Sequence, residues 1–91
     1  MVSVSNAYPN PVYGNNVVRF DLLSSCPTTV DWGVYTVSLR KVYGTTVSVN
    51  GPMSVAWDLH DASGARVAVG LYYIQVNSGA NPVQLKVLVQ N

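Results

Sequence analysis

Ninety-one residues with five Lys or Arg, four acidic residues and a single His carry a net charge of +1. Charged residues make up only 10% of the chain and apolar residues 48%, the reverse of the balance that produces disorder. The five cations are scattered apart from Arg40-Lys41, so there is no basic stripe to displace counterions and no nucleic-acid partner is expected.

Length predicts one domain, residues 1–91, with a modest core. The chain has no glutamate and is rich in Val and Tyr, which favours strands over helices. Cys26 is alone, so an internal disulfide is excluded. It is expected to be a small buried hydrophobe at a strand end or loop. Met1 to Asn6 has neither the charged start nor the apolar stretch of a signal peptide. No apolar run approaches the ~20 residues of a membrane helix.

In chain order, Val2-Ser3-Val4 alternates as a short strand. Pro9 and Pro11 remove two amide donors and exclude regular structure from Ala7 to Val12. Tyr13-Gly14-Asn15-Asn16 reads as a turn. Val17 to Leu23 places Val18, Phe20 and Leu22 on one face, the period of a half-buried strand. After a loop from Ser24 to Thr29, Val34 to Arg40 places Tyr35, Val37 and Leu39 together. Gly44 breaks the pattern. Thr45 to Val49 is a β-branched run ended by Asn50-Gly51-Pro52. Met53 to Asp58 is a further strand, in which Val55 and Trp57 share a face. Asp61-Ala62-Ser63-Gly64 has the composition of a type I turn. Gly70 then precedes an aromatic strand in which Tyr72, Ile74 and Val76 share a face, and it is expected in a special backbone conformation or against a bulky neighbour. Ser78 to Asn81 is a hairpin-length link to a last strand, Val83 to Val89, with Val83, Leu85 and Val87 inward. About seven short strands with no competing helix predict an all-β, Ig/fibronectin-III-like antiparallel β-sandwich.

Chemistry-bearing residues are few. His60 has no nucleophile at a recognisable spacing, so it reads as a loop histidine and the chain as a non-enzyme. Asp58, Asp61 and Ser63 supply fewer oxygens than calcium requires and read as turn formers, so no metal or other cofactor is expected. Trp57 reads as core. Trp32 lies beside Asp31 and Gly33 at a strand start, and with the loop tyrosines Tyr8, Tyr13 and Tyr43 it is the candidate for stacking on a polysaccharide. Two strand-like segments carry little or no charge to protect a sheet edge. Thr45 to Val49 has none, and Val83 to Val89 has only Lys86. Val47 and Leu88 are therefore candidate edge contacts, for self-association or for docking to a neighbouring domain.

The motifs also carry a resemblance. Tyr8-Pro9-Asn10-Pro11-Val12, the strand Val17 to Leu22, Val34-Tyr35-Thr36-Val37 with Arg40-Lys41-Val42, Trp57-Asp58-Leu59-His60-Asp61-Ala62-Ser63-Gly64, Val67 to Tyr73 and Lys86 to Val89 are involved. Together they resemble the Ig-like domain of the flagellar hook-capping protein and the related C-terminal sorting-type domains of type IX secretion. The likeness runs from Ala7 to Val89. It departs at Leu59, where the family has Gly after Trp-Asp, and at Ser38-Leu39, where a Gly turn falls; the second departure suggests a straighter hairpin. The resemblance implies a non-catalytic accessory domain, the C-terminal module of a longer secreted or cell-surface bacterial protein, serving as a spacer, an export or retention signal, or an assembly module.

Overall fold

The computed structural model describes residues 2–13, 16–77 and 82–90. Gly14 and Asn15 of the expected first turn, and the Ser78–Asn81 link, lie outside the described residues. The strands are β1 (Val2–Val4), β2 (Val12–Tyr13), β3 (Val18–Thr36), β4 (Lys41–Trp57), β5 (Gly70–Asn77) and β6 (Val83–Gln90). Among the described residues, no helix is long and apolar enough to cross a membrane.

Six strands do the work of about seven because β3 and β4 each serve two layers. The first part of β3 pairs with β1 and with the end of β4, as in Leu22↔Val4 and Phe20↔Val55. Its second part pairs with the start of β4 and with β5, as in Trp32↔Thr45 and Trp32↔Val76. The ladder shifts register between Ser24 and Thr28, and Gly51 on the partner strand takes φ 76°. The strand pair folds over at this corner. The rings of Phe20 and Trp32 meet edge to face at 5.5 Å, so the two parts of β3 oppose each other across the core. β5, β6 and β2 extend the larger layer, with β2 parallel to β6.

Alternation placed much of the core correctly. Val18, Phe20, Leu22, Val55, Trp57, Tyr72, Ile74, Leu85 and Val87 are buried, and Val83 packs against them half-buried. Trp57 meets Tyr72 edge to face at 5.8 Å.

The middle of the chain corrects the reading. Val30, Trp32 and Val34 face inward, so the buried phase is the even one, and Tyr35 is only half-buried. Val37 and Leu39 are 61% and 72% exposed. The strand stops at Thr36, and a tight turn follows. Leu39 N–H donates to Thr36 C=O at 2.9 Å, Thr36 N–H donates to Arg40 C=O at 2.9 Å, and Leu39 takes φ 67°. The hairpin is therefore tighter, not straighter, than its missing glycine suggested.

Ser24 to Thr29 is not a loop but the bent middle of β3, and Asn50 to Pro52 lies within β4. Cys26 is exposed, contrary to expectation, because the bulge lifts residues 25–27 out of the ladder and away from the core. The corner is held by hydroxyls. Ser24, 3% exposed, donates to Cys26 C=O at 2.6 Å, and Thr28 donates to the same oxygen at 3.0 Å.

Candidate interaction surfaces

The loop from Asp58 to Val69 is built around its carboxylates. Asp61 Oδ1 accepts from Ser63 N–H at 3.0 Å, Ser63 Oγ at 2.6 Å and Ala65 N–H at 3.0 Å. Gly64 N–H closes the turn on Asp61 C=O at 3.0 Å, with Gly64 at φ 90°. The Ser63 hydroxyl first, and then the Ala65 amide, hold the Asp61 carboxyl below its ordinary value of 3.8. Asp58 Oδ1 accepts from His60 N–H at 3.1 Å. His60 Nδ1 lies 2.8 Å from Asp58 C=O, so the imidazole is folded onto its own loop. These contacts make turns, the role expected of Asp58, Asp61 and Ser63.

Core aromatics tether this loop through their polar ends. Trp57 Nε1–H donates to His60 C=O at 2.9 Å, and the Tyr72 hydroxyl donates to Ala68 C=O at 2.7 Å. Burial pushes the Tyr72 phenol up, and Arg40 pulls it partly back. Leu59 is fully buried at φ 65°, and Ala62 N–H docks on Val42 C=O at 2.9 Å. Gly70 follows at φ 155°, and a Cβ there would meet nothing within 4 Å. Its glycine therefore serves the backbone and not a close neighbour.

The proposed stacking residues do not assemble into one surface. Trp32 is 4% exposed, packed between Phe20 and Tyr43 at 5.5 Å from each, and belongs to the core. Hydrophobic strand alternation from Val30 to Val34 was the signal that should have placed it there. Tyr43 is half-buried within β4, and Tyr13 lies in β2 and not in a loop. Tyr8 and Tyr13 are exposed, but the Tyr8 hydroxyl is committed to Asp21 Oδ1 at 2.8 Å.

Val47 and Leu88 fall in different settings. Val47 lies on β4, which among the described residues pairs with β3 alone. Leu88 lies on β6, whose outer side is covered from Lys86 to Gln90. β2 pairs there through Val12↔Val89 and Tyr13↔Gln90. Just before it, Asn10 imitates a strand residue. Its Nδ2 donates to Lys86 C=O at 2.9 Å, and its Oδ1 accepts from Leu88 N–H at 3.0 Å. Sequence reading saw the two prolines but missed the Asn between them, because only the folded chain brings it 76 residues along to Lys86.

Open grooves also mark the surface, and two lie on the β3–β4 ladder. One, of about 520 Å³, is lined by Val4, Leu23, Pro52 and Met53 on the smaller layer. The other, of about 370 Å³, is polar and runs past Asp31, Tyr35, Lys41 and Thr46 over Gly33 and Gly44. Among the described residues, no three His, Cys, Asp or Glu side chains are placed to share a metal ion.

The described residues thus form an all-β sandwich with a tethered turn and a side chain capping part of its last strand. The chain belongs to the secretion system C-terminal sorting domain family, whose model matches residues 6–90. None of the curated proteins compared matches it. Among solved structures, it is similar to dimeric latent PorU from Porphyromonas gingivalis, with a TM-score of 0.73 and 22% identity over 98% of this chain. It is also similar to PorZ, a surface component of the type IX secretion system of the same organism, with a TM-score of 0.60 and 22% identity over 96% of this chain. The chain spans 9% of PorU and 11% of PorZ. These likenesses establish the fold. The family establishes a signal and structural module carried by exported proteins.

Proposed function

We propose that this domain is the C-terminal export and surface-attachment signal of a longer secreted parent, read by the type IX secretion machinery as a folded unit. The observation that carries this reading is the family match over residues 6–90, which takes in every motif from the Asn10 segment to the last strand. The structure supports a passive signal over a reaction. The hydrogen bonds of Asp58 and Asp61 are spent within their own loop, and those of His60 tie it to Asp58. The parent supplies any activity, and this domain supplies address and retention.

The test is a fusion of residues 1–91 to the C-terminus of a reporter enzyme that carries a general export signal. It is expressed in a bacterium with a type IX system. Reporter activity is expected in the medium or on intact cells for the fusion and not for the reporter alone. Equal retention of the two inside the cell would reject the reading.

A further inference from the structure

We propose that the free edge of β4, from Tyr43 to Asn50, pairs antiparallel with the same edge of a second copy of this chain about a two-fold axis. Two charge-poor segments reach the border of the larger layer, and the structure separates them. β6 is closed from Lys86 to Gln90, around Leu88, by β2 and by the Asn10 amide. β4 has β3 on one side and, among the described residues, no strand on the other. The backbone bond that the Asp58–Val69 loop makes to this strand, from Ala62 N–H to Val42 C=O, stops just short of Tyr43.

The free stretch has none of the usual protection. Proteins guard edges with charge, proline, bulges or short length. From Tyr43 to Val49 there is no charged residue and no proline, and the ladder to β3 runs without a register shift from Thr28↔Val49 to Val34↔Tyr43. The inner face is incompletely covered, since Val49 is buried but Val47 only half-buried. Thr46 already spends its hydroxyl on Asp31 Oδ1 at 2.7 Å, while among the described residues no strand pairs with the outer backbone groups of this stretch.

A second copy is the occupant this edge suits. Antiparallel pairing of a strand with itself closes after two copies. It sets Thr, Val and Ser opposite β-branched and hydroxyl residues, which are favourable cross-strand pairs. Like charges facing each other ordinarily penalise such self-pairing, and here there are none in the paired stretch. Lys41 precedes the stretch, and its side chain runs back over Gly44, so each copy sets one ammonium at the outer end of the pairing, away from the axis. With no like charges near the axis, the association is expected to depend only weakly on salt.

Sedimentation equilibrium on the full chain, up to millimolar concentration, tests this. Cys26→Ser is the background, because the exposed thiol could otherwise join copies by a disulfide. A reversible monomer–dimer equilibrium is expected, little changed between low and high salt. Val47→Lys should raise the dimer Kd by about tenfold or more, since it brings two ammonium groups together near the axis. Ser48→Lys, at an exposed position, should do the same, which guards against a folding defect in the half-buried Val47 variant. Leu88→Lys should leave the Kd within about twofold. A chain that stays monomeric overturns the proposal and leaves the edge to a strand of another protein. A dimer indifferent to both β4 lysines, or lost in Leu88→Lys, overturns it as well.

Discussion

Leu39 and Leu59 take φ 67° and 65°, the two non-glycine residues described with positive φ. They stand where the sequence resemblance has glycine, so the turns have kept their shape without the residue that makes it easy. A left-handed conformation costs an L-residue about 1–2 kcal/mol. At Leu39, 72% exposed, little burial offsets that cost. Leu39→Gly is therefore expected to be neutral or stabilising by up to about 1 kcal/mol, after subtracting the greater freedom glycine gives the unfolded chain. Leu59 is fully buried, and losing its side chain costs about 2–5 kcal/mol. Leu59→Gly should therefore destabilise despite the same relief of strain. Urea melts of the two variants check the opposite signs. Asp61 gives a pH signature. Its folded pKa is depressed below 3.8, so its contribution is present above the unfolded pKa and lost as pH falls through the folded one. The melting temperature of Asp61→Asn should fall below the parent's at neutral pH, and the gap should close in strong acid. A gap that persists there would mean that the charge is not what holds the turn.

Among the elements, those whose burial follows strict alternation were legible, and those shaped by a bend were not. Val18-Phe20-Leu22 and Tyr72-Ile74-Val76 announce their inner faces because each runs straight over one layer. From Ser24 to Leu39 the strand crosses a corner, changes layer and ends in a turn, so a period read backward from Leu39 lands on the wrong face. Cys26 was misplaced for the same reason. The covered edge of β6 was illegible for another: its cap is a side chain brought from the far end of the chain. Asn10→Ala should remove one donor and one acceptor from that edge and cost about 1–3 kcal/mol, as two hydrogen bonds lost at a solvent-accessible site. Asn10→Asp keeps the acceptor for Leu88 N–H but sets a carboxylate against Lys86 C=O, and should restore less than half. Hydrogen exchange at Leu88 should quicken in Asn10→Ala. Unchanged exchange would show that β2 alone protects the edge.

The whole molecule is an all-β sorting-domain module with one pinned loop and two unlike borders. The loop from Asp58 to Val69 is pinned by Trp57 and Tyr72, and the border strands differ, one capped and one open. Fold class was readable from composition and strand spacing, and the family from motifs spread along the chain. Trp32 was not legible as core, because its isolation beside Asp31 and Gly33 hid its place in the inward row of Val30 and Val34. The account rests on recognition of this unit by one secretion route. The most direct measurement is the fraction of a reporter carrying residues 1–91 that reaches the cell surface and medium in paired strains, one with a working type IX system and one with it disabled. The account predicts external reporter in the first strain and retention in the second; equal release from both, or retention in both, would contradict it.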